Sequence, residues 1–203
     1  MRKYPIGIQS FEKLRNDSYL YVDKTHFIQE LTDTGSVYFL SRPRRFGKSL
    51  FLDTMHCAFD GKKHLFKDLF LEDNWNWDKQ NPVIKISFGS GVHRSVEELR
   101  QTMESMLIDW KNQFGFIYEK NGANNRFMEA IQHAYEKSGN SVVVLIDEYD
   151  KPILDNITNL PLAAELREEL KNFYSVLKDA DQYLKLVFIT GVSKFSSFSF
   201  QWT

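Results

Sequence analysis

The sequence predicts an α/β fold built on a mainly parallel sheet, and three observations carry the prediction. First, Ser141-Val142-Val143-Val144-Leu145-Ile146 ends in an apolar run without alternation, the pattern of a central parallel strand buried on both faces. Second, strand-like runs at 37–40, 83–88, 142–146 and 184–191 alternate with helical patterns. Third, Gly47-Lys48-Ser49 follows the apolar run Val37-Tyr38-Phe39-Leu40. That is how a phosphate-binding loop leaves a strand and opens a helix.

The chain opens with residues 11–31, where apolar and charged positions mix and Tyr19 to Thr25 reads as a short strand or turn entry. Residues 26–33 read as helical. The first strand, 37–40, leads through the loop into a helix from Lys48 to Phe59, which Asp60-Gly61 stops. The aromatic-rich stretch 64–78 reads as a short helix and loop on the core edge. Val83-Ile84-Lys85-Ile86-Ser87-Phe88 alternates with period two, a strand. Ser95 followed by Glu98 is a capping-box signature, after which Val96, Leu99, Met103, Met106 and Trp110 share a helical face. A second amphipathic helix covers 124–137. Leu162, Leu166, Leu170, Phe173 and Leu177 mark one long helix, and Leu184 to Gly191 a last strand ending at a glycine.

At 203 residues with 42% apolar content, the chain fits one globular domain with a core of useful size. A net charge of -1 gives no global electrostatic case for nucleic acid or an anionic membrane. The single cysteine, Cys57, excludes an intrachain disulfide and a multi-Cys zinc site and reads as a small buried apolar residue. Histidines 26, 56, 64, 93 and 133 lack metal-ligand spacing and read as surface or packing residues. No signal peptide is visible, and the apolar run Val142 to Ile146 is far too short to span a bilayer, so the expectation is a cytoplasmic protein.

The loop names the ligand class, nucleoside triphosphate. Gly47 permits close backbone approach, Lys48 reaches the β- and γ-phosphates, and the Ser49 hydroxyl binds magnesium. The usual pattern is G-x-x-x-x-G-K-[ST], and Arg42 stands where the first Gly belongs. A basic turn before a helix is the alternative. Asp147-Glu148 ends the buried strand, at the sheet edge where open α/β folds bind ligands. Asp147 suits a magnesium partner, and Glu148 a general base that deprotonates attacking water. In additional-strand ATPases, the strand between the two motif strands ends in a polar group that contacts the γ-phosphate or the water. Thr190 is the first choice for that role and Ser193 the second, with a plain strand-capping threonine as the alternative. Arg42, Arg44 and Arg45 form a cationic cluster suited to phosphate by bidentate geometry, or else face solvent or a partner. Pro152 sets a turn, and Asp150 is placed to pair with Lys151 or a loop arginine.

With these motifs in hand, the chain resembles the predicted AAA-ATPase-like family, a divergent P-loop group. The matching pieces are Tyr21-Val22-Asp23-Lys24-Thr25, Phe39 through Leu50, Val144 through Ile153, and Phe188 through Ser196. The resemblance covers about 4–196, with residues 1–36 as a lead-in, and accounts for Arg42, since the family's own loop looks like R-P-R-R-F-G-K-S. It implies a P-loop NTPase-like three-layer sandwich. It implies ATP held by Arg44, Arg45, Phe46, Gly47, Lys48 and Ser49 and magnesium held by Asp147; with the residue reading, Leu50 joins the loop contacts, Ser49 the magnesium ligands, and Lys48, Glu148 and Thr190 form the expected catalytic set. Tyr21 to Thr25 matches a family motif without a derived role; a nucleotide-side contact is one option. Family members often continue into a PD-(D/E)XK nuclease-like domain. The tail 197–203 does not look like that continuation, so the expectation is a truncated chain lacking a last core strand and a helical lid. Three functions compete: an ATPase module acting through a conformational change, a nucleotide-binding switch without turnover, and a small-molecule kinase. A homo-oligomer or a further protein partner stays open.

Overall fold

The structure is a computed structural model, and it describes residues 3–193. Four strands, β1 (Val37–Ser41), β2 (Val83–Ser87), β3 (Val142–Asp147) and β4 (Leu184–Gly191), form one all-parallel sheet in the order β1-β4-β3-β2. The last strand in sequence thus lies between the loop strand and the acidic strand. The register pairs Ser41 with Gly191 and Ser87 with Asp147, bringing the carboxyl ends of these strands to one edge.

Helices cover both faces of the sheet. On one face α4 (Val96–Phe114), α5 (Ala123–Ser138) and α7 (Leu160–Tyr174) pack against Ile84, Ile86, Val142, Val144, Ile146, Val187 and Ile189. On the other, α1 (Phe11–Asn16), α2 (His26–Thr34) and α3 (Lys48–Phe59) pack with Val83, Val143, Leu145, Leu186 and Phe188. Successive strand side chains point to opposite faces, so β3 needs apolar residues at every position, and Val142 to Ile146 are all buried. Each such side chain contributes about 1.5–3 kcal/mol by leaving water. At the edge strand β2, Lys85 is exposed and pairs with Asp53 of α3 at 2.9 Å.

Local sequence explains most helix ends. The Ser95 hydroxyl accepts from the Glu98 amide at 3.2 Å, while the Glu98 carboxylate reaches the Arg94 amide at 2.7 Å rather than that of Ser95. The α4 stripe is Leu99, Met103, Leu107, Trp110 and Phe114, so Met106 is only half-buried. Two expectations need correction. The single long helix over 162–177 is two: α7 ends at Tyr174, the Ser175 amide bonds back to Asn172 with a three-residue step, and α8 (Val176–Asp179) follows. Residues 64–78 hold two 3-10 turns (Lys63–Phe66 and Phe70–Glu72) in place of a helix. Of the two readings of residues 19–25, the turn entry into α2 fits, with one isolated bridge between Lys3 and Tyr19 in place of a strand. Among the described residues, no helix is long and apolar enough to cross a membrane.

Candidate functional site

The loop leaves β1 at the sheet edge and is anchored there by its neighbour strand. The Arg42 amide donates to Gly191 O at 3.2 Å, and the Ser41 hydroxyl to Val192 O at 2.9 Å. Arg45 and Gly47 both take left-handed backbone conformations, φ 68° and 76°. Left-handed residues turn successive N–H groups inward, the concave arrangement that holds anions. At Gly47 a side chain would meet open space, so glycine is required there for its conformation rather than for room. No side chain caps the first turn of α3, which leaves its N–H groups available to a ligand.

Lys48 carries the clearest signal. Its side chain is folded into the loop, only 7% of the residue is exposed, and Nζ donates to Arg42 O at 2.9 Å and Pro43 O at 3.0 Å. No carboxylate pairs with it among the described residues. A buried ammonium satisfied only by neutral carbonyls is a charge arranged for an anion. Ser49 and Leu50 are half-buried in the first turn. Leu50 packs its side chain on the core, so only its amide is on offer to a phosphate.

Across the same edge stands the acidic turn. Asp147, the last residue of β3, is half-buried, and its Oδ1 accepts from the Thr190 hydroxyl at 2.5 Å. Thr190 is fully buried, and its hydroxyl is spent on that bond. Glu148 adopts φ 50°, a left-handed conformation that costs a non-glycine residue about 1–2 kcal/mol. The turn swings its carboxylate away from the strand and over Gly89, where an added Cβ would lie 3.1 Å from Oε2. Strain of this kind collects at functional sites. The sequence-predicted pair is therefore split, with Asp147 tied to β4 and Glu148 turned toward the end of β2.

A family model described as "Predicted AAA-ATPase" matches residues 5–200. The chain belongs to this predicted AAA-ATPase family. It is also similar to a protein of Azotobacter chroococcum mcd 1, "Uncharacterized protein in vnfD 5'region", at 48% identity over 199 residues. That alignment takes in 98% of this chain but 39% of the relative, so the chain spans well under half of the relative's length. Membership supports a nucleotide-binding, ATPase-like role in general terms.

Four site features of this AAA-ATPase family member escape sequence reasoning or correct it. Asp150 pairs with neither Lys151 nor a loop arginine. It is 1% exposed, and Oδ2 accepts from the Val192 amide at 2.9 Å, the Ser193 amide at 2.7 Å and the Ser193 hydroxyl at 2.9 Å. Ser193 is thereby engaged with Asp150 instead of standing free as a sensor. The Tyr149 hydroxyl donates to Ser193 O at 2.8 Å, and its ring leaves no room for a side chain at Gly191. Lys151 bonds Asp155 and Gly91 O, while Asp155 lies 3.9 Å from Arg44. Arg42, Arg44 and Arg45 are all exposed. Only the run Asp147-Glu148-Tyr149-Asp150 hints at this turn in sequence, because its partners come from β4. Lys194 and the 197–203 tail lie outside the described residues.

The Tyr21–Thr25 motif is mostly structural. Asp23 accepts from the amides of Thr25 and Phe70 at 2.8 and 2.7 Å. Burial pushes its pKa up, but the hydrogen bonds outweigh burial and hold the carboxylate below its ordinary range. Thr25 is fully buried, and its hydroxyl accepts from the Leu71 amide at 3.2 Å. Both residues fasten the start of α2 to the 70–72 turn.

Proposed function

We propose that this AAA-ATPase family member binds Mg-ATP at the loop and hydrolyses it to ADP and phosphate, with turnover driving a conformational change. The observation that carries the reading is the buried ammonium of Lys48, which pairs with no carboxylate among the described residues. Lys48 and the amides of Gly47 to Leu50 bind the phosphates, with Arg44 and Arg45 beside them and Phe46 exposed on the loop. The Ser49 hydroxyl and Asp147 are the groups that would hold magnesium, which would supply positive charge against the charge developing on the phosphates.

Glu148 takes a proton from the attacking water, and its turned-out carboxylate keeps it clear of Asp147. Thr190 acts as a positioning residue in this reading, because its hydroxyl fixes Asp147 Oδ1. The experiment is Glu148→Gln, assayed for ATP binding and for phosphate release. We expect binding to persist and release to fall by about 100-fold or more, the span of a general base. Release at the parent rate would remove Glu148 from the mechanism. Binding without release by the parent chain at every protein concentration would leave a nucleotide switch in place of an ATPase.

A further inference from the structure

Beside the phosphate loop the surface opens into a cleft of about 520 Å³. Its walls are Phe27 and Leu31 of α2, Tyr38 and Leu40 of β1, and Phe46 of the loop, and its floor runs into Gly47 and Lys48. Two of those phenylalanines are conspicuous for their exposure, Phe27 at 46% and Phe46 at 63%. Large apolar groups left in water around a concavity mark a ligand site. The volume and the apolar walls with a few polar groups suit a flat heterocycle better than a peptide or a lipid chain.

We infer that this cleft holds the base and sugar of the nucleotide, an inference that rests on the ATP reading of the loop. Continuity with Gly47 and Lys48 selects the occupant, because a molecule whose phosphates lie on the loop has its remaining part next to them. Phe27 and Phe46 provide π-faces for an aromatic base. Arg42 and Lys48 lie at the phosphate end of the lining, and the other two charged residues, Lys24 and Glu30, offer a donor and an acceptor for base edge or ribose hydroxyls. The inference also gives the Tyr21–Thr25 motif a purpose. Asp23 and Thr25 are bolted to the 70–72 turn, and so fix where Lys24 and Phe27 enter the cleft.

The test compares binding of ATP and of inorganic tripolyphosphate, both with magnesium, by calorimetry. Phe27→Ala should weaken ATP about tenfold, the loss expected when one base–aromatic stack is removed, and leave tripolyphosphate unchanged. Phe27→Trp should keep ATP affinity, and Glu30→Ala, at an exposed position, should weaken ATP alone. Lys48→Ala should weaken both ligands. If the parent binds tripolyphosphate as tightly as ATP, and neither Phe27→Ala nor Glu30→Ala separates them, the cleft is not the base site while the loop reading stands. If the parent binds neither ligand, the ATP reading fails and takes the base site with it.

Discussion

The loop Arg42–Gly47 and the turn Asp147–Asp150 face each other across one sheet edge, yet every loop residue is exposed while Tyr149 and Asp150 are buried. The loop is held by the Arg42 amide on Gly191, by the Ser41 hydroxyl on Val192 at its root, by a long exposed contact from Arg44 to Asp155 and by the Lys48 ammonium reaching back to its carbonyls. Three donors converge on Asp150, Thr190 holds Asp147, and the Tyr149 hydroxyl reaches Ser193. The acidic half is thus fixed before any ligand arrives, as preorganised catalysis requires. In the proposed function the loop half would be completed by the charge of the ligand it binds. Substitutions in the turn should therefore cost folding, and substitutions in the loop should cost binding.

The largest expected effect tests the rigid half. Asp150→Ala removes the acceptor for three donors beside β4. Donors stranded in a buried setting cost about 1–3 kcal/mol, so roughly 3 kcal/mol or more of unfolding free energy should vanish in a urea titration. A loss under about 1 kcal/mol would show that the turn is not a structural latch.

Next comes the loop. Lys48→Met should leave unliganded stability within about 0.5 kcal/mol of the parent, because the freed carbonyls of Arg42 and Pro43 belong to exposed residues. It should abolish stabilisation by Mg-ATP, which for the parent is about 2.7 kcal/mol at a hundred times the dissociation constant. Thermal melts with and without ligand read both quantities. If Lys48→Met unfolded as readily as Asp150→Ala, the contrast between the halves would collapse.

Gly191→Ala probes where the halves touch. A Cβ there would sit 2.5 Å from a Tyr149 ring carbon and 2.9 Å from Asp150 Oδ1, so the ring must shift. Overpacking of this kind costs about 1–3 kcal/mol. The same glycine accepts the Arg42 amide, so ATP affinity should drop as well. A stability loss with unchanged affinity would show that the two halves are mechanically independent.

How much of this was legible depended on whether the signal was local. The strands were, because Val142 to Ile146 can be apolar at every position only if both faces are covered. The Gly47-Lys48-Ser49 turn was, since a left-handed residue opening a helix needs glycine. The break at Ser175 was hidden, because Leu162 through Leu177 keeps helical spacing across it. Asp150 was misread toward its sequence neighbour Lys151. Its partners, Val192 and Ser193, lie far along the chain and become neighbours only once β4 inserts beside β3. The 64–78 segment was misread because its aromatics pack on α3 and on one another without a period.

The smallest effect is a pH dependence outside both halves. His93 is 3% exposed, its Nε2 lies 3.0 Å from the Thr102 hydroxyl, and its Nδ1 is buried with no hydrogen-bond partner among the described residues. Burial, then the nearby Lys151 ammonium, hold its pKa below the ordinary histidine range, with Glu98 and Asp155 opposing. The same direction holds for His56, through burial and then Lys85. In both cases the folded value lies under the unfolded one, so the unfolded chain binds protons first as pH falls. The stability these neutral rings contribute is fully present above the unfolded value of about 6.5, and is lost as pH drops through the folded value. Urea midpoints should therefore decline from pH 7.5 to 5.5, with a slope of at most about 1.4 kcal/mol per pH unit for each ring. His93→Gln keeps a polar partner for Thr102 without a titrating ring, and should flatten that decline. An unchanged slope in the variant would move the effect to His56, where the same substitution would have to remove it.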